Sequence, residues 1–185
     1  MCLAWSEVRR LQLLNKKKTR TTAQLLAIPG GSGGTRATLK IMARLVKKGK
    51  RDHRLRELAL SIVKRNRNKD YVGEVRSIHE WVKKNIRYVK DIRGIETVQT
   101  PQKTLEFRQG DCDDHSILVS TLLETIGHMT RLKAIGFTPN SYAHVYTETK
   151  LGPKSKNMWI AVETTEPWKL GKAAKNPVAI MIEYI

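Results

Sequence analysis

The hydrophobic pattern of this chain changes period part-way along, and that change limits its fold more than any other feature. As far as Ile126 the apolar residues recur at helical spacing, and beyond it they form strand-like runs. Leu39, Met42, Ala43 and Val46 stand at i, i+3, i+4 and i+7, which predicts a helix reaching about Lys48 and capped by Thr35 or Thr38. A second helix is expected after Asp52, with Leu55, Leu58, Ala59, Ile62 and Val63 on its apolar face. A third starts near Asp70 and carries Val72, Val75, Ile78 and Val82 toward Ile86. A loop marked by Gly94 then runs through Pro101 to Gly110. An amphipathic helix beginning at Cys112 passes through Ile117, Leu118, Thr121, Leu122 and Ile126, and Gly127 stops it. Strands are expected at about 132–137, 142–149, 158–165 and 178–185. Helices first and strands afterwards predict an α+β fold, an antiparallel sheet with helices on one side.

At 185 residues the chain suits one domain with an appendage. Its apolar runs are too short to span a membrane. Glu7, Arg9 and Arg10 follow the apolar patch of Leu3, Ala4 and Trp5 too soon for a signal peptide, so cytoplasmic synthesis without secretion by the usual route is expected. The net charge of +18 is concentrated in the N-terminal third. Residues 1–69 hold 19 Lys/Arg against 3 Asp/Glu, while residues 70–185 hold 16 against 14. So basic a block favours an anionic neighbour, whether an acidic protein, DNA or lipid headgroups; the alternative is a solvated basic face. With four glycines in the six residues from Pro29 to Gly34, that segment reads as a hinge or turn. The expected organisation is a basic, Gly-rich extension over 1–34 and a domain over 35–185. Within that domain, basic helices fill 35–69 and a core occupies about 70–170.

Two cysteines, Cys2 and Cys112, make neither a disulfide framework nor a zinc knuckle. Cys112 sits in Gly110-Asp111-Cys112-Asp113-Asp114-His115-Ser116, at the first turn of its helix. There the helix dipole and unpaired amides would favour a thiolate, and the same amides could hold an oxyanion. Asp113 and Asp114 would oppose the thiolate if they pointed at the sulfur. Two blander readings remain at this point: a small buried residue, or half of a metal site with His115.

The runs at 142–149 and 158–165 flank a polar loop at Gly152-Pro153 and read as a hairpin. Symmetric folding would pair His144 with Glu163, Tyr146 with Ala161 and Glu148 with Trp159. A carboxylate beside the imidazole would fix its tautomer, so Cys112, His144 and Glu163 make a nucleophile, a base and an orienter. His115 is the alternative base. His79 reads as a packing residue, and His53 and His128 lie at element ends.

These segments, with Trp159-Ile160-Ala161-Val162-Glu163-Thr164-Thr165 and the upstream Trp81-Val82-Lys83-Lys84-Asn85-Ile86-Arg87-Tyr88, resemble the transglutaminase-like superfamily over roughly residues 70–170. The compact basic form is most similar to small transglutaminase-like proteins of tailed bacteriophages. The resemblance implies a papain-like core whose cysteine helix packs on an antiparallel sheet. It also implies cysteine-dependent acyl transfer or hydrolysis of an amide or isopeptide bond through a thioester, on a protein or peptide substrate, with no metal or organic cofactor. A virion location would follow. The other reading is a non-enzymatic virion protein that keeps the fold and docks through its basic third. Glu163 stands where the family usually has aspartate, and its longer side chain has less confined rotamers. Gln99, Gln102 and Gln109 all precede the cysteine as oxyanion donors, and spacing does not choose among them.

Overall fold

A computed structural model describes residues 30–91, 97–152 and 158–185. Cys2, most of the basic extension, Gly94 and Pro153 lie outside them. Three helices come first: α1 (Gly31–Gly49), α2 (His53–Val63) and α3 (Tyr71–Asn85). Asp52 and Asp70 cap the second and third, accepting from Arg54 N–H and Gly73 N–H. Short β1 (Arg87–Tyr88) and β2 (Gln109–Gly110) pair in parallel around α4 (Pro101–Phe107). Then come α5 (Cys112–Thr125) and four strands: β3 (Thr130–Gly136), β4 (His144–Thr149), β5 (Ile160–Val162) and β6 (Ala179–Tyr184). The strands form one antiparallel sheet in the order β5-β4-β3-β6. The α+β expectation is met.

The core is built around α5, which is buried on every side and not amphipathic as expected. Ile117 joins Leu39, Met42 and Val46 of α1 and Leu132, Ala134, Val145 and Met181 of the sheet. Leu118, Val119, Leu122 and Leu123 pack instead among Leu58, Val75, Ile78 and Val82 of α2 and α3. A helix enclosed in this way must satisfy its polar groups internally. Ser120 bonds Thr147 at 2.9 Å, and Glu124 accepts from Thr130 N–H at 2.7 Å and from Lys50 at 2.8 Å. On the far face of the sheet Ile135, Tyr146 and Ala161 are covered by Ala173 and Ala174 of the segment between β5 and β6. Of the basic residues on α1 and α2, Lys40, Arg44 and Arg56 are exposed. Among the described residues no helix is long and apolar enough to cross a membrane.

Three local expectations need correction. The glycines from Gly31 to Gly34 are the first turn of α1, not a hinge; neither Thr35 nor Thr38 caps it. Gly31 takes φ of 66°, a left-handed entry that glycine permits, and Gly34 is buried. Packing there outweighs a propensity cost of about 1 kcal/mol per glycine. The stretch read as loop contains α4, whose signature was present: Thr100 as cap, accepting from Lys103 N–H, and Pro101 in the first turn. Lastly, β4 and β5 pair Thr147 with Val162, Glu148 with Ala161 and Thr149 with Ile160, two residues away from the symmetric register. A slip of two leaves every side chain on its face, so alternation cannot distinguish the two pairings.

Candidate active site

Cys112 opens the most enclosed helix among the described residues, and the residues before it fix where it emerges. Gly110 lies against Asp114 so closely that a Cβ there would stand 2.5 Å from the Asp114 Cβ. Asp111 caps α5, accepting from the amides of Asp113 at 3.0 Å and Asp114 at 3.2 Å, and Asp114 accepts in return from Asp111 N–H at 3.4 Å. Asp114 also takes Gln99 N–H at 2.7 Å and the Gln99 side-chain amide at 2.6 Å. Burial, with the Asp111 charge adding to it, raises the Asp114 carboxyl to about 7 against the pull of the Gln99 amide.

The sulfur is not the preformed thiolate expected of a helix start. Burial pushes the Cys112 thiol well above its ordinary value, and Asp113 and Asp111 add to the effect. The Val145 amide favours the thiolate but is outweighed. The thiol donates to Asp113 Oδ1 at 3.6 Å, the case in which a first-turn carboxylate points at the sulfur. A full charge beside a half-buried sulfur wins over the partial charge of a helix end. Asp113→Asn keeps an acceptor and removes the charge. Removing that charge lowers the thiol toward its ordinary value and should speed alkylation of Cys112 by iodoacetamide at pH 7 on the order of tenfold. An unchanged rate would mean that Asp113 does not hold the proton.

His144 opens β4 and its Nε2 meets Glu163 Oε2 at 2.5 Å, so the imidazole and the carboxylate lie on one face as predicted, reached diagonally across the true register. Burial would raise the Glu163 carboxyl, but His144 and Thr165 together hold it below its usual value. Glu163 Oε1 accepts from Thr165 N–H at 2.8 Å and Thr165 Oγ1 at 2.7 Å. These contacts confine the longer side chain that sequence alone left loose. His79, read as packing, is buried and donates from Nε2 to the Glu163 carbonyl at 2.7 Å. With His144 Nε2 committed to the carboxylate, Nδ1 is the nitrogen left to exchange a proton. Among the described residues the sulfur makes no hydrogen bond to His144. The Val145 amide, one residue along β4 from His144, is directed at the sulfur.

His115, the alternative base, is buried with Nδ1 3.2 Å from Thr164 Oγ1, and burial lowers it to about 4. It is a neutral core group. His128 is buried on Glu74 at 2.9 Å, remote in the fold at the far end of α5. Gln102 donates to Asp52, which takes it from the sulfur, and the Gln109 side-chain carbonyl accepts from Arg87. Asp111, Cys112 and Asp113 bring ligand atoms within 4.8 Å of one another, but the Asp111 carboxylate is occupied as the helix cap. Sequence reasoning missed Thr165 and His79. The clue to His79 was its place beside Val75, Ile78 and Val82 on a buried face, where an imidazole requires a polar partner.

A family model described as the transglutaminase-like superfamily matches residues 56–164, more than half of the chain and spanning Cys112, His144 and Glu163. The chain belongs to the transglutaminase-like superfamily. No curated protein matches its sequence. Among solved structures it is similar to a candidate protease of Parabacteroides distasonis, at 12% identity and a TM-score of 0.53. That likeness covers 72% of this chain and 29% of the other. A candidate cysteine protease of Cytophaga hutchinsonii is similar at 17% identity and a TM-score of 0.51, over 78% of this chain and 55% of that one. At such identities the likeness is one of fold, and this chain spans only part of each neighbour's length. The papain-like arrangement expected of the superfamily is therefore present, with an N-terminal helical layer and a central helix packed on an antiparallel sheet.

Proposed function

We propose that the chain is a cysteine-dependent acyltransferase or hydrolase acting on an amide or isopeptide bond of a protein or peptide. Cys112 is the nucleophile, His144 the base and Glu163 its orienter. The observation that carries this reading is the His144–Glu163 pair, which leaves Nδ1 as the free nitrogen on a strand whose next amide faces the sulfur. Because the thiol is held neutral, its proton leaves in the same step in which sulfur attacks the carbonyl. It passes from Sγ to His144 Nδ1, after the thiol turns from Asp113. Glu163 stabilises the imidazolium, which then protonates the departing amine and leaves a thioester on Cys112. Water or an amine takes up the acyl group.

The thiol proton, directed at Asp113, also favours a second reading, in which the fold is kept and the chemistry is lost. p-Nitrophenyl acetate separates the two. On the first reading the wild type accumulates an acetyl group that peptide mapping places on Cys112, with Cys2 as internal control, and Cys112→Ala carries none there. A wild type that stays unacetylated, or is acetylated at Cys2 alone, would leave the second reading standing.

A further inference from the structure

The attack just described puts negative charge on the carbonyl oxygen, and most of the groups named for it from sequence are occupied. Of the four amides from Asp111 to Asp114, Asp111 N–H is taken by Asp114, and those of Asp113 and Asp114 by Asp111. The Cys112 amide is left. Gln99 and Gln102 spend their amide donors on Asp114 and Asp52, and Gln109 is held by its oxygen on the exposed Arg87. A single backbone donor is a poor oxyanion site, because a developing full charge in a half-buried cleft needs at least two.

The parallel pairing of β1 with β2 brings another group to the place. Tyr88 lies opposite Gly110, two residues before the cysteine, and Val89 N–H bonds the Gly110 carbonyl at 2.9 Å. The Tyr88 ring stands edge-on to His115, one turn into α5, with centroids 6.4 Å apart. That contact fixes the ring beside the start of the nucleophile helix. The side chain is 46% exposed, and among the described residues its hydroxyl makes no hydrogen bond. Cys112 and the carboxylates of Asp111, Glu166 and Glu163 all lie near enough to act on the phenol, which sets it on the same side of the fold as the cysteine and Glu163.

We propose that Tyr88 donates its phenolic hydrogen bond to the oxyanion formed when Cys112 attacks a carbonyl, with the Cys112 amide as the second donor. The sulfur–carbon bond forms as the carbonyl π pair moves onto oxygen and the thiol proton moves to His144. Both donors hold that oxygen until the carbonyl re-forms and the leaving group departs. Burial, together with the neighbouring negative groups, raises the Tyr88 phenol above its ordinary value, so it keeps the proton it must donate throughout the neutral range.

The proposal rests on Cys112 being the nucleophile, and two reagents keep the failures apart. p-Nitrophenyl acetate reacts through a tetrahedral oxyanion, whereas iodoacetamide alkylates the same sulfur by displacement at a methylene and forms none. Tyr88→Phe keeps the ring against His115 and removes only the hydroxyl. Its acetylation should fall by roughly a hundredfold, the usual effect of removing one oxyanion donor, while alkylation stays at the wild-type rate. Equal acetylation in wild type and variant would overturn the role of Tyr88 and leave the nucleophile in place. A parallel fall in both reactions would overturn it as well, by showing that Tyr88 acts on the thiol or on the fold. A wild type in which neither reagent modifies Cys112 would remove the nucleophile and the proposal together.

Discussion

His144→Ala should slow acetylation of Cys112 by about a thousandfold at neutral pH, within the range observed for general bases. The thiol here is held protonated by burial and by Asp113 and Asp111, so no standing thiolate is left to react when the base is gone. Glu163→Gln should come close to the same loss, although it preserves shape and volume. The reason is the two donors on Glu163 Oε1. Thr165 N–H requires an oxygen there, so a glutamine would place its carbonyl toward Thr165 and its NH₂ toward His144. His144 Nε2 must then accept, and the ring proton moves to Nδ1, where it blocks proton transfer from sulfur. The rates of wild type, Glu163→Gln and His144→Ala, each with its melting temperature, test this. Near wild-type acetylation in His144→Ala would reject the base, and a fast Glu163→Gln would reject the tautomer argument. His115→Ala should act on stability instead, because His115 is a buried neutral group bonded to Thr164.

The second large effect concerns stability against pH. The Asp114 carboxyl rises from an ordinary 3.8 to about 7 in the fold, so the folded chain binds a proton that the unfolded chain has lost. Its contribution is complete below the unfolded value and is lost as pH rises toward 7, about 4 kcal/mol in all. Groups with the opposite sign share part of this window. Burial lowers His115 to about 4 and lowers His79 as well, so both add stability as pH climbs through the range in which the unfolded imidazoles lose their protons. Glu163, held below its ordinary 4.5, contributes above that value and loses it in stronger acid. The wild-type curve therefore mixes slopes, and the difference from Asp114→Asn isolates one of them. The variant should gain on the wild type by a few kcal/mol between about pH 4 and pH 8, as read from denaturant midpoints. The gain is helped by Gln99, whose buried and unpaired Oε1 can turn to accept from the new amide. A constant offset across the range would show that the Asp114 carboxyl ionises as if exposed.

The parts of this chain legible in advance were those written in period and capping. Asp52 and Asp70 announced α2 and α3, and the change of period before β3 announced the layers. The pairing of His144 with Glu163 and the place of Cys112 at a helix start were legible because their residue types and spacing carry chemistry, and the face shared by His144 and Glu163 survives a two-residue slip. What stayed hidden depends on distances between elements. The thiol contact with Asp113, the Thr165 clamp and the approach of Tyr88 along β1 arise only once α5 and the strands are packed. The glycine-rich start of α1 misled for the same reason, since local propensity reads as a hinge what tertiary packing makes a helix.

The enclosure of α5 has a further consequence for the lifetime of the site. Leu118, Leu122 and Leu123 are wholly buried, and the helix that bears them touches every layer of the fold. Amides along such a segment exchange with solvent deuterium only when the whole domain opens, while fraying loops exchange by local excursions. The seat of Cys112 is thus expected to exchange with the core of the described fold, whereas Tyr88 and Glu166 are exposed. Residues at the surface can rearrange by local excursions, but Cys112 keeps its position for as long as the domain stays closed.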